Sequence, residues 1–328
     1  MSGKGTSLAV MLAFALMGQS GAKFPIQPTQ LAVTSSNRLT IPAFSPYGTV
    51  LCDGKGSLYF HVPLESASLN ESTVLRLSPE ESEPEVFRLP PDLRTKTAMD
   101  FFSVTPSGKV WFLDETLETP LMAFGFDSDG ELDSQTKLEV PAHLSADAFS
   151  VSDPGAILLM GHFNSDSPAE LRGKRFTAIF EKSGKLRTQV HFEGLQDVDL
   201  NAIPNGDGGT IAPGTDGNFY FLAPGEVVVV SQSGDVVRKL PFGRPDHDFS
   251  AHNVSESLGL ISIEFHKVDK SGSIQIEFVV LDASTDTVFG AYTPPDGAGL
   301  PSCFSRTKGY IFVRGRDHKE ELVVATLR

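Results

Sequence analysis

A chain of 328 residues with 40% hydrophobic side chains, 24 Phe, 30 Gly and 22 Pro is foldable and rich in turns, which excludes a disordered polymer. Its 41 acids outweigh 27 basic residues for a formal net charge of −14, so its surface repels phosphate backbones and nucleic-acid binding is excluded as a function class.

The N-terminus carries one cation, Lys4, then an apolar run from Leu8 to Met17, then small and polar residues ending at Ser20-Gly21-Ala22. That layout predicts a secretory signal cleaved after Ala22, because the apolar run is about half the length a transmembrane helix needs. The expectation is a secreted or periplasmic protein with residues 1–22 as signal and 23–328 as one domain, without a membrane span after processing. No Cys lies near the cleavage point to accept a lipid anchor. Removing the signal takes away Lys4 and no acid, which moves the net charge to −15, and the acids are scattered rather than gathered in a tail.

After the signal comes an isolated strand pattern, Arg38-Leu39-Thr40-Ile41, and then a repeat of roughly fifty residues. Six glycines, at 56, 108, 155, 217, 259 and 309, each precede a short apolar run such as Leu58-Tyr59-Phe60, Val110-Trp111-Phe112 or Phe219-Tyr220-Phe221. A second β-branched or aromatic run follows each, as in Phe176-Thr177-Ala178-Ile179-Phe180 or Val227 to Val230, then a polar turn such as Lys182-Ser183-Gly184-Lys185. A last alternating segment, for example Val236-Val237-Arg238-Lys239-Leu240, places charge on one face, as suits an outer edge that must discourage sheet addition. No amphipathic helix of useful length interrupts this order, so the fold class is all-β. The expected architecture is a six-bladed β-propeller with four-stranded blades. The last repeat runs out after Leu322 to Leu327, its third strand, so the N-terminal strand at residues 36–42 is expected to complete the last blade and close the ring.

On these Gly-turn-strand units the chain resembles six-bladed propellers of the NHL-repeat and gluconolactonase-like type over residues 30 to 328. That resemblance implies a radial ring with a central channel and, for its hydrolytic members, a divalent cation such as Ca at the channel mouth. No Trp-Asp or Gly-His signature of a WD40 protein is present.

Motifs for common enzyme chemistries are absent: there is no Gly-x-Ser-x-Gly elbow, no His-Glu-x-x-His, no phosphate loop and no dinucleotide fingerprint. The eight His are dispersed, and the spacing of five between His247 and His252 puts them on opposite faces of an ideal strand, so each reads as structural or solvent-exposed. Asp127-Ser128-Asp129-Gly130 reads as turn chemistry and Trp111 as core.

One constellation survives alignment of the repeats. Asp100, Asp147, Asp199 and Asp248 open four consecutive innermost strands and are expected to arc around one mouth of the channel, as ligand-binding residues and as candidate metal ligands. Arg306, on the sixth innermost strand, belongs to the same set as an internal counter-charge. Family members place a Glu on the first innermost strand, whereas the stretch from Phe44 to Leu51 has no acid.

The functional expectation is therefore an extracytoplasmic monomer that binds a polysaccharide, peptide or protein, with a metal-dependent, lactonase-like hydrolase as the alternative; catalytic residues are not identified. The two cysteines, Cys52 and Cys303, fall on inner strands that meet across the closure and are expected either to pair as a disulfide or to remain two small buried thiols. Asn70 and Asn253 head glycosylation sequons.

Overall fold

The computed structural model describes residues 28–39, 50–63, 72–78, 85–88, 102–114, 121–190, 211–223, 225–242, 250–294, 303–306, 308–314 and 320–326, and every regular element among them is a β-strand. Two strands come first, β1 (Thr29–Gln30) and β2 (Ala32–Leu39). Blade 1 is β3 (Val50–Cys52), β4 (Leu58–Pro63), β5 (Ser72–Leu77) and β6 (Glu85–Arg88); blade 2 is β7 (Phe102–Val104), β8 (Val110–Asp114), β9 (Met122–Phe126) and β10 (Leu132–Lys137). Blade 3 is β11 (Leu144–Val151), β12 (Ile157–Phe163), β13 (Arg175–Phe180) and β14 (Leu186–Gln189); blade 4 is β15 (Ile211–Pro213), β16 (Phe219–Ala223), β17 (Glu226–Val230) and β18 (Val236–Pro241). Blade 5 is β19 (Ser250–Ser257), β20 (Leu260–Val268), β21 (Ile274–Asp282) and β22 (Thr287–Thr293), with β1 added in parallel on its outer edge. The chain ends in β23 (Lys308–Arg314) and β24 (Glu320–Thr326).

Each blade is an antiparallel meander because its turns are short and their glycines carry the one conformation a side chain resists. In blade 3 Glu181 N–H donates to Lys185 C=O and Gly184 N–H returns to Glu181 C=O, and the same pair of bonds recurs from Asp53, Thr105, Asp127, Ser152, Gly214 and Ser231. Gly184 has φ +83°, and a Cβ there would lie 1.9 Å from Lys137 C=O of the neighbouring blade, so both the turn and the packing require glycine.

Both faces of a blade are apolar, so each blade needs two neighbours. Trp111, Leu113 and Leu138 of blade 2 pack on Phe149, Leu159 and Phe180 of blade 3; Leu158 and Ile179 of blade 3 pack on Phe219, Phe221 and Val228 of blade 4; Val227 and Val229 pack on Ile261, Phe265 and Val279 of blade 5. Trp111 is core, as its position in the repeat implied. Fully burying each such large side chain contributes about 1.5–3 kcal/mol. A polar clasp repeats outside this core. Arg76, Thr136, Arg187 and Arg238 each donate to the carbonyl of the second residue of the next blade's outer turn, Ser128, Lys182, Gln232 and Ala283, at 3.1, 2.9, 3.1 and 2.7 Å.

The expected six equal blades are corrected by the sheet order. Five blades carry all four strands, and their inner strands β3, β7, β11, β15 and β19 contact one another in a circuit in which β19 reaches β3. Among the described residues the sixth repeat forms a three-stranded sheet, β2–β24–β23, and its inner segment is represented by one bridged residue, Phe304. The N-terminal strand pairs antiparallel with the last one, with Ser36 opposite Val323, Arg38 opposite Glu321 and Leu39 opposite Glu320. Leu31 and Phe304 pack with Leu260, Phe278 and Tyr292, which ties this sheet's connections to blade 5. Cys52 and Cys303 form a disulfide with Cα atoms 5.7 Å apart, joining the end of β3 to the segment of the sixth repeat.

Between inner strands one hydrogen bond is made and its counterpart is not. Ser103 Oγ on β7 accepts from Val151 N–H of β11 at 3.0 Å. Counted back from the turn glycines Gly108, Gly155 and Gly217, Ser150 occupies the position of Ser103, and the residue that should donate to it is Pro213, which has no N–H. Ser150 is 1% exposed and its Oγ has no hydrogen-bond partner among the described residues.

Two outcomes follow for stability in urea unfolding. Ser103→Ala leaves Val151 N–H buried and unpaired and is expected to cost about 1–3 kcal/mol, whereas Ser150→Ala is expected to be neutral within about 0.5 kcal/mol or stabilising; equal losses would remove this account. Replacing Cys52 and Cys303 together by Ser is expected to lower stability by about 2–5 kcal/mol, because the closed loop spans most of the chain. Oxidised wild type and double variant unfolding at the same urea concentration would contradict it.

Candidate functional site

The two ends of the blades differ because the meander sorts its connections. The first-to-second and third-to-fourth turns share one end; the second-to-third connections, which in blade 5 include the Gly272 turn, and the blade-to-blade connections share the other, the loop face.

At the turn end the inner turns bind one another. Gly54 N–H donates to Pro106 C=O at 2.8 Å, Ser107 N–H to Asp153 Oδ1 at 2.9 Å, and Ser257 Oγ–H to Asp53 C=O at 2.8 Å. Thr215 gives Glu256 two bonds, from N–H to Oε2 at 2.6 Å and from Oγ1 to Oε1 at 3.0 Å, and Gly259 N–H adds a third. A Cβ at Gly54 would lie 2.9 Å from both Pro106 C=O and Thr215 Cγ2, so the turns of blades 1, 2 and 4 converge there. Burial pushes the Glu256 carboxyl up, against the pull of those three donors. Tyr59 hydroxyl bonds to Asp53 Oδ2 and Gly108 C=O, and burial followed by the Asp53 charge raises its pKa. These contacts tie the inner turns of neighbouring blades to one another.

Of the four predicted carboxylates the structure describes one, Asp147, toward the loop face on β11. Asp100, Asp199 and Asp248 lie outside the described residues. Asp147 is described, and both its oxygens are engaged within blade 3: Oδ1 lies 2.8 Å from His162 Nδ1, and Oδ2 accepts from Arg175 Nη1 at 3.3 Å. Arg306 sits at the opposite end. Its Nη2 bridges Asp282 Oδ2 at 2.7 Å, where the outer turn of blade 5 begins, and its guanidinium lies 5.9 Å from the Phe289 ring centre. Bonds from the Ser284 hydroxyl and amide, then Arg306, hold Asp282 at about 2. The structure therefore does not bring Arg306 to Asp147. Among the described residues no three His, Cys, Asp or Glu side chains converge as a set able to hold a metal ion.

A β-bulge positions Asp147. The register of β11 against β12 skips between Ala146 and Ala148, so Asp147 is the extra residue, re-aimed onto His162 of the facing strand. Blade 5 repeats the device: the register of β19 against β20 skips between Ala251 and Asn253, and the extra residue is His252. In each blade the residue two before the bulge is a serine opposite a histidine, Ser145 with His162 and Ser250 with His266. Both histidines project toward the following blade, on the side occupied by Leu158 and Met160 in β12 and by Leu260 in β20. In blade 5 the imidazoles of His252 and His266 stack with centres 4.1 Å apart, Ser250 Oγ lies 2.8 Å from His252 Nε2, and His266 Nε2 is hydrogen-bonded to the buried Glu264 carboxylate. Burial, then the neighbouring His266, lowers His252 to about 4, so it is neutral at neutral pH.

Sequence reasoning passed over His252 and His266 because it assumed an unbroken strand period. The available signal was a repeated tripeptide, Ser145-Ala146-Asp147 and Ser250-Ala251-His252, where alignment on Asp248 obscured it.

No family model and no curated protein matches the chain. Among solved structures it is similar to a candidate exported protein of Bacteroides fragilis, at 9% identity over 89% of this chain and 94% of that one, with a TM-score of 0.52. It is also similar to the β-propeller domain of the trilobed protease of Pyrococcus furiosus, at 11% identity over 82% and 79% with a TM-score of 0.41. A protein of unknown function from Bacteroides caccae matches at 11% identity over 77% and 82% with a TM-score of 0.35. At these identities the likeness concerns fold alone: the chain is an all-β propeller with four-stranded blades. Among the described residues no helix is long and apolar enough to cross a membrane.

Because the folded state holds His252 near 4 while its ordinary value is 6.5, the unfolded chain binds the proton first, and stability is expected to fall as pH drops through that interval. In thermal unfolding across this range His252→Gln is expected to flatten the fall; an unchanged slope would show that His252 does not titrate as described.

Proposed function

We propose that this chain is an exported propeller, a single domain once residues 1–22 are removed, that binds a polar ligand at its loop face. The observation that carries this reading is the pair of bulges at the loop face, which turn Asp147 and His252 onto partly exposed histidines. Bulges of this kind recur beside binding and active sites because they re-aim a side chain without breaking the sheet. Asp100, Asp199 and Asp248 belong to the same face in this reading, and the ligand is a polysaccharide, peptide or protein segment. The lactonase-like alternative draws less support, since both oxygens of the one described carboxylate of its arc are engaged by His162 and Arg175. The likeness to a candidate exported protein and the layout of residues 1–22 support an extracytoplasmic location, secreted or periplasmic.

Immobilised protein offered a glycan array and a displayed peptide library is expected to capture ligand. Ser165→Arg and Ser250→Arg, exposed at the loop face, should abolish capture, and Ser233→Arg at the turn end should not. Capture indifferent to the loop-face variants, or an exported protein whose N-terminus does not begin at Lys23, would defeat the corresponding half of the reading.

A further inference from the structure

We infer that the bulges of blades 3 and 5 are twin subsites for one neutral polysaccharide chain lying across the loop face, an assignment that rests on that face being the binding surface. The two constellations share one plan. Each has a serine opposite a histidine, an extra residue turned onto that histidine, and a projection toward the following blade, with blade 4 between them. The same backbone device at two blades indicates two places that meet one kind of ligand unit.

The chemistry narrows that unit. In blade 3 the Asp147 carboxylate is hydrogen-bonded by Arg175 and His162; in blade 5 Glu264 is hydrogen-bonded to His266, and His252 is uncharged at neutral pH. Each subsite thus offers donors, acceptors and an imidazole plane, with its carboxylate already engaged internally. A ligand recognised by point charge would find its counter-charge engaged, while a hydroxyl-rich sugar can donate, accept and lay a ring face on an imidazole. The net charge of −14 opposes uronic-acid and sulfated polymers, which leaves neutral glycans. Two subsites separated by one blade suit a chain long enough to span both, for which the second contact is intramolecular.

The test is titration calorimetry with laminarin, xylan and mannan and with their disaccharides, on the full-length secreted protein. At least one polymer is expected to bind on the order of a hundredfold tighter than its disaccharide, because only the polymer reaches both subsites. His162→Ala and His266→Ala should each reduce the polymer to about the disaccharide affinity, and Ser250→Ala, an exposed substitution, serves if His266→Ala fails to fold. Binding independent of chain length, binding unaltered by both the His162 and Ser250 variants, preference for alginate, or no binding of any of the three polymers would overturn the twin-site assignment. Peptide capture at the loop face without glycan binding would overturn it and leave the binding face standing; capture of neither ligand class removes both.

Discussion

The ring depends on a hydrogen bond that does not care which residue accepts it. Arg76, Thr136, Arg187 and Arg238 all reach a main-chain carbonyl, at the same place in the next blade's outer turn. A backbone acceptor is available whatever the side chain above it, so Ser, Lys, Gln and Ala all serve and the repeats are free to diverge. What has to be kept is the turn geometry, held by a residue of positive φ: Gly130, Gly184 and Gly234 in three of the turns and Asp286 in blade 5. The donors vary for the same reason, since either a guanidinium or a hydroxyl reaches the oxygen. Beneath this clasp the paired apolar faces supply most of the stabilisation; the bond fixes the angle at which they meet.

Much of this was legible in the sequence. Regular glycine spacing revealed the repeat, alternation revealed strands, and the orphan strand near the N-terminus together with the unfinished last repeat pointed to the β2–β24 pairing. Cys52 and Cys303 were correctly placed as neighbours across the ends of the chain. The number of full blades was not legible, because a glycine followed by an apolar run marks the second strand of a repeat and is silent about whether a first strand precedes it. In the sixth repeat Gly309 and its run are present, but among the described residues before them only Phe304 is bridged. The site was less legible still. A bulge re-aims the residue it adds, and counting in twos does not reveal that His252 is such a residue.

Blades 3 and 5 also show how a repeat protein gains local chemistry without losing its frame. The extra residue is absorbed at the loop end of an inner strand, while the pairing from Val151 to Ala148 and from Ser257 to Asn253 remains regular. At the other end the same strands offer Ser152 and Glu256 to turn contacts. Ser150 marks the opposite case, a polar residue whose counterpart in blade 2 has a partner while its own was replaced by Pro213. Divergence here re-aimed a side chain at one position and left a hydroxyl without its counterpart's donor at another.

The pairing of β2 with β24 has a consequence for the order in which the molecule can be assembled. Blades 1 to 5 are each made of consecutive segments, so each can form soon after its last strand leaves the ribosome. By contrast β2 has its partner nearly three hundred residues later, with Ala32 opposite Thr326. Throughout synthesis β2 is therefore a strand with no antiparallel partner, and a bare edge of this kind is what chaperones cover and what aggregates exploit. The seam that completes the fold is also the interval during which the chain most needs an escort.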